Sequence, residues 1–301
     1  MALSVKLGSI ELPNPILVAS GTFGYAKDAA RFVDVARLGG IVPKTVTRLP
    51  RQGNAPPRTA ETTAGLLNAI GLDNDGLDEF CEKKMPYLRS LGCPIFVSAA
   101  PGSPEECKEF GEKIDALEGV TAVELNISCP NVEHRANWAT PEYCAKMTKA
   151  TRESMNTPFS VKLTPNVTNI VDLAKAAEDN GADMISAINT CYGLAIDWRK
   201  RKSRIGNGFA GFSGPAIKPI ALRCVKQIAD AVKIPIIGIG GIANVEDVFD
   251  FLVAGASAVE IGTANFYQPD VTMRILDEMP KIMEQEGIRD LSEIIGTLPR
   301  I

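Results

Sequence analysis

Short apolar runs recur along the chain, and amphipathic stretches lie between them. The runs are PILVAS (15–20), GIVPKT (40–45), PIFVSAA (94–100), AVELNIS (122–128), FSVKLTP (159–165), MISAIN (184–189), IPIIGIG (234–240) and AVEIGTA (258–264). Each has the length of a buried strand. The stretches 103–118, 141–156, 168–180, 215–232, 244–254 and 270–286 carry apolar residues at helical spacing. Alternating strands and helices imply parallel strands joined by right-handed crossovers. Eight such units predict an α/β fold of the closed (β/α)8 TIM-barrel type. No Gly/Ser linker or low-complexity tract interrupts the pattern, so 1–301 reads as one domain. The opening SVKLGSIELPNP predicts a small hairpin closing the barrel bottom.

Two connections are too long for simple barrel turns, 46–72 and 190–215. Both follow strands, which puts them at the C-terminal face, where barrel enzymes build their sites. Polar residues collect at the same strand ends: Ser20 and Gly21, Lys44 and Thr45, Asn126, Cys129 and Asn131, Lys162, Asn189 and Thr190. In FSVKLTP, Phe159, Val161 and Leu163 share one face and Lys162 the other. With the apolar face toward the helices, Lys162 points into the barrel mouth and needs an anionic or electron-rich partner. That partner is either a ligand or an internal carboxylate, and Glu124 has the matching parity on the neighbouring strand. Lys44 is ambiguous on the same grounds.

Strands seven and eight end in glycines. GIGGIANVEDVF places Gly240 and Gly241 before a helix with Asn244 as its N-cap, and EIGTANF places Gly262 and Thr263 after strand eight. Either pair alone reads as a tight turn. Together they match the loops with which barrels hold phosphate through backbone N–H groups and a helix N-terminus. A phosphorylated cofactor with lysines beside an electron-rich ring fits flavin mononucleotide (FMN).

Composition narrows the function classes. The chain is 45% hydrophobic and 23% charged with a net charge of −4, which argues against a nucleic-acid partner. Seven cysteines lie scattered with no C-x-x-C spacing and there is one histidine, so neither a disulfide framework nor a metal site is expected on this chain. There is no signal-peptide layout and no apolar run of bilayer length, which points to a reducing cytoplasm and no membrane. Cys129 stands apart from the other thiols because it closes a strand beside Asn126 and Asn131. A thiol becomes a base when positive charge stabilises its thiolate. Cys81, Cys93, Cys107, Cys144, Cys191 and Cys224 read as structural, and His134 as an exposed loop residue.

The segments NPILVASGTFG, VPKTVT, LLNAIGLDNDG, ELNISCPNV, VKLTPNVTNI, AINT, GFSGPAIKP, GIGGI and IGTANF, in this order, resemble the dihydroorotate dehydrogenases. ASGTFG and the cysteine of NISCPN resemble their class 1B catalytic subunits. The resemblance implies an FMN barrel that oxidises dihydroorotate to orotate in pyrimidine synthesis. It implies that Cys129 removes the C5 proton while hydride passes from C6 to the flavin. By the same resemblance Lys44, Asn68, Ala69, Ile70, Gly71, Leu72, Asn126, Asn131, Asn189 and Thr190 hold the substrate. Ser20, Gly21, Lys44, Thr45, Asn126, Lys162, Ile188, Gly214, Gly240, Gly241, Gly262 and Thr263 hold FMN. It further implies a homodimer paired with an electron-transfer subunit carrying FAD and an iron–sulfur cluster, a heterotetramer that reduces NAD. The sequence departs from the family at Ser98, where an asparagine is usual, in RANWATPE after the cysteine, and in INTCYGLAIDW. The alternatives are a flavin barrel acting on another dihydropyrimidine, one that reduces uridines in transfer RNA, or use of a soluble acceptor as in class 1A.

Overall fold

Eight parallel strands ring the centre of the computed structural model, which describes residues 2–127 and 139–300. They are β1 (Ile16–Val18), β2 (Gly40–Ile41), β3 (Phe96–Ala99), β4 (Ala122–Leu125), β5 (Phe159–Leu163), β6 (Met184–Ala187), β7 (Ile236–Ile239) and β8 (Ala258–Ile261). The hydrogen-bonded order is β2-β1-β8-β7-β6-β5-β4-β3. Two bridges, Ile41 to Ile95 and Val46 to Ala99, join β2 to β3 and bring the two edges together. Every strand is buried on both faces, as the helix-covered outer wall requires.

The six predicted helices are present, trimmed by a few residues at their ends. Pro104–Asp115 starts at Ser103, which caps the Glu106 N–H, and Pro141–Ser154 starts at Thr140, which caps that of Tyr143. Val245–Ala254 carries a full capping box between Asn244 and Asp247, so the N-cap expected at Asn244 is borne out. One helical stretch, over 77–89, was not expected from periodicity. Its buried residues Leu77, Phe80, Met85 and Leu88 are spaced three, five and three apart. A π-turn at Phe80–Lys84 inserts the extra residue and breaks the 3.6 repeat. The N-terminal hairpin pairs Val5–Leu7 with Ile10–Leu12, and Val5, Leu7 and Leu12 join the main core. Among the described residues no helix is long and apolar enough to cross a membrane.

The two long connections fold together. Thr59–Thr62 and Gly65–Asn68 from the first pair with Ala210–Ser213 and Cys191–Gly193 from the second, making a four-stranded antiparallel sheet at the barrel mouth. It has its own small core of Ala60, Leu67, Ala69, Ile205 and Ala210. Close approach is built in at Gly211, where a Cβ would sit 2.2 Å from Thr190 Oγ1.

Candidate active site

Between this sheet and the strand ends lies a cavity of about 490 Å³, within the range of small-molecule sites. Its floor is charged. Lys162 on β5 reaches both oxygens of Glu124 on β4 (3.1 and 3.2 Å) and one oxygen of Glu260 on β8 (3.2 Å). β4 and β5 are neighbours but β8 is not, so the three side chains meet inside the barrel. The two readings of Lys162 therefore coexist: it pairs with Glu124, and it lines the cavity. Burial works against the ammonium, but Glu124 and Glu260 outweigh it and hold the Lys162 pKa above its ordinary value. Ser20 and Ser98 donate to the same oxygen of Glu124, each at 3.4 Å. Ser98, the family departure, is fully buried and also bonds Thr45 at 2.9 Å. It belongs to the network under the floor and does not line the cavity.

One end of the cavity is a glycine cradle. Gly214, Gly240 and Gly241 have φ of 103°, 131° and 78°, a region open to glycine at little cost. A Cβ on Gly241 would lie 2.7 Å from the backbone nitrogen of Lys218, and one on Gly240 2.8 Å from Ala221 Cβ. Thr263 Oγ1 donates to Ser213 Oγ at 2.7 Å, tying the loop after β8 to the upper sheet. The helix start contributes less than expected. The amides of Ala243 and Asn244 already donate to Asp247 Oδ2 at 2.7 and 3.2 Å. The turn glycines thus form the close-approach surface of this part of the cavity.

Neutral amides also line the cavity. Asn68, Asn126 and Asn189 all line the cavity. Asn189 donates to Asn126 Oδ1 at 3.4 Å and accepts from the Thr190 N–H at 2.8 Å. Asn68 donates to the Gly211 carbonyl at 3.4 Å across the upper sheet. Asn74, not singled out from the sequence, shapes this rim. It accepts from the Thr47 and Gly76 amides and donates to Thr47 Oγ1 and the Leu72 carbonyl. Leu72 is thereby held at φ 57°.

All twelve residues expected around the cofactor line this cavity, as do Ile70, Gly71, Leu72 and Thr190 of the substrate set. Ala69 does not. It is fully buried in the small core of the upper sheet, because strand alternation turns it away from the side Asn68 faces. Cys129, Asn131 and His134 lie outside the described residues. Glu260 was missed, yet the parity rule that found Lys162 finds it: Val259 and Ile261 face outward, so Glu260 faces in. Among the described residues no thiol lines the cavity. Burial pushes the thiols of Cys93 and Cys144 up to about 12 and that of Cys107 to about 11, as inert core thiols behave. The arrangement fits a phosphorylated planar ligand with its anionic tail on the glycines and its ring over Lys162. Space then remains toward the asparagines for a small polar partner.

Comparison with known proteins agrees. A family model described as dihydroorotate dehydrogenase matches residues 2–283. The protein named dihydroorotate dehydrogenase B (NAD(+)), catalytic subunit, of Geobacter sulfurreducens is 48% identical over 298 residues, 98% of each chain. Its namesake from Geotalea uraniireducens is 46% identical over the same length and shares. A crystal structure of DHODH from Eimeria tenella in complex with ferulenol superposes with a TM-score of 0.82. At 22% identity it covers 98% of this chain and 88% of its own, and shares the fold. With a family match across nearly its whole length, this chain belongs to the dihydroorotate dehydrogenase family.

Proposed function

We propose that this chain is the catalytic subunit of an NAD-linked dihydroorotate dehydrogenase, oxidising dihydroorotate to orotate in pyrimidine biosynthesis. The observation that carries the reading is one cavity lined by a glycine cradle, a lysine on its floor and three asparagines. FMN fits the first two parts. Its phosphate would rest on Gly240, Gly241, Gly262 and Thr263. Its ring would lie beside Lys44 and Lys162, walled by Ser20, Gly21, Thr45, Asn126, Ile188 and Gly214. When bound, the flavin supplies the acceptor for the hydride that leaves C6 of the substrate.

The remaining chemistry falls to the chain. Asn68, Asn126, Asn131 and Asn189, with Thr190 and the 70–72 turn, hold the polar substrate ring through neutral donors and acceptors. Cys129 takes the proton from C5. Loss of that proton and of the C6 hydride leaves the C5=C6 double bond of orotate. Positive charge beside a thiol favours its thiolate, and Lys44 and Lys162 are the cationic side chains that line the cavity among the described residues.

The electrons would leave through a partner subunit carrying FAD and an iron–sulfur cluster and pass to NAD. The words "catalytic subunit" and "NAD(+)" in the relatives' names support this division. A homodimer is supported by the segment 190–215, which exposes Tyr192, Leu194, Ile196, Trp198 and Phe209. Apolar surface of this extent suits a subunit contact. The six described cysteines are free thiols, which supports a reducing cytoplasm. We read 1–301 as a single barrel domain. Steady-state assay with dihydroorotate and dihydrouracil tests the substrate. Turnover is expected with dihydroorotate, and preference for dihydrouracil would overturn the assignment.

A further inference from the structure

The barrel floor holds two acids and one base where water does not reach. Glu124 and Glu260 are each 1% exposed at the side chain and Lys162 is 6% exposed. The donors are shared unequally. Glu124 receives two of the three contacts of Lys162 plus the hydroxyls of Ser20 and Ser98. Glu260 receives one contact from Lys162, on Oε2. Its other oxygen, Oε1, is solvent-free and has no partner among the described residues. The strands beside Glu260 place Leu17 and Ile239 in register with it and bring no ionisable group. Lys44 lines the cavity above.

We propose that Glu260 is a neutral carboxylic acid in the resting protein, hydrogen-bonded to Glu124, and acts as a positioning residue that keeps the Lys162 charge available to an anionic group in the cavity. An ionised carboxylate with an orphaned buried oxygen is costly. The same oxygen bearing a proton is a donor, and Glu124 is the carboxylate that shares the Lys162 ammonium with it. The negative charge belongs on Glu124, where the donors are. Burial, then the charge of Glu124, push Glu260 well above the usual carboxylate range, and Lys162 offsets only part of this.

The consequence reaches the cavity because Lys162 lines it and neither glutamate does. With both acids ionised the trio would carry one net negative charge beneath the ligand. With Glu260 neutral the trio is balanced, and its cationic member is the one facing the ligand. The inference rests on the proposed flavin site only for the identity of the anionic group; the protonation state stands without it.

The first test is infrared spectroscopy of the flavin-free protein at neutral pH, where exposed carboxyls are ionised. The wild type should show the carbonyl stretch of a protonated acid, and Glu260→Gln should lack it. Absence of the band from the wild type would overturn the proposal, and this measurement needs no variant to fold. The second is the flavin dissociation constant across a pH series. Glu260→Gln, which mimics the neutral acid, should match the wild type within about twofold at neutral pH. Glu124→Gln leaves Glu260 as the one carboxylate on Lys162, so its trio is balanced too and binding at neutral pH should stay within about threefold. As pH rises the wild type should lose affinity while Glu260→Gln stays flat. A tenfold loss in Glu260→Gln with Glu124→Gln unaffected would overturn the assignment. If no form binds flavin, the flavin reading fails and the infrared band still decides the protonation.

Discussion

The floor of the cavity and its roof are built on opposite principles. The floor is three ionisable side chains at the centre of a barrel, fixed by strands β4, β5 and β8 and packed inside the main core. The roof is a four-stranded sheet over a core of five buried residues, and it presents the Asn68 amide to the cavity. Charge buried in the floor is strong because the medium there is poorly polarisable, and it is costly to unbalance. Neutral amides in the roof recognise shape and hydrogen-bonding pattern with little field. The division suits a site that must hold an anionic cofactor firmly and exchange a small polar substrate.

The sharpest way to break this contrast is to remove the cation from the floor. Lys162→Met leaves Glu124 buried with no positive partner, and breaking such a pair costs about 3–5 kcal/mol. Denaturant unfolding of the flavin-free protein should show a loss of that size, and the flavin-loaded variant should retain less flavin than the wild type. An equal loss from Asn68→Ala would erase the distinction between floor and roof.

Next in size is the pH dependence of stability. Glu260 has a folded-state pKa raised above its unfolded value. Between those values the native state holds a proton that the unfolded state has lost, so stability falls as pH rises. Its contribution is fully present below the unfolded value, about 4.3. The slope for one proton is roughly 1.4 kcal/mol per pH unit. Unfolding midpoints of Glu260→Gln should therefore gain on the wild type as pH rises above about 5. A constant difference at all pH values would show that the raised pKa is not real.

The cradle gives a comparison within the floor. Gly241→Ala places a side chain at φ 78° against the Lys218 backbone. The left-handed conformation alone costs about 1–2 kcal/mol. At Gly262 the nearest atom to a new Cβ is 3.5 Å away and φ is unremarkable. Unfolding should show Gly241→Ala clearly destabilised and Gly262→Ala close to wild type.

In the roof, Asn68→Ala should raise KM for dihydroorotate about tenfold, as for one lost polar contact, and leave flavin content unchanged. The smallest effect belongs outside both regions. Trp198 is 70% exposed, so Trp198→Ala should change the stability of the isolated chain by no more than about 0.5 kcal/mol. Sedimentation would report any weakening of assembly.

These regions differed in how far they could be read ahead of the structure. The barrel was legible because eight apolar runs alternate with amphipathic helices, a local pattern. Lys162 was legible from strand parity, and Glu260 was open to the same reasoning in AVEIGTA. What parity does not give is which inward residues meet across the barrel, because that depends on strand stagger. The roof was legible only as two long insertions. Their pairing joins 59–68 to 191–213, segments more than a hundred residues apart whose short strands carry little periodicity. The 77–89 helix was hidden by its π-turn, and Ala69 was assigned to the substrate as part of a motif although alternation turns it inward.

The most direct test of the proposed function is anaerobic titration of the flavin-loaded protein with dihydroorotate. The flavin absorbance should bleach stoichiometrically with orotate formed, and in Cys129→Ser the reduction should slow by about a hundredfold or more at neutral pH. A flavin that stays oxidised in the wild type, or a serine variant that bleaches at the wild-type rate, would contradict it.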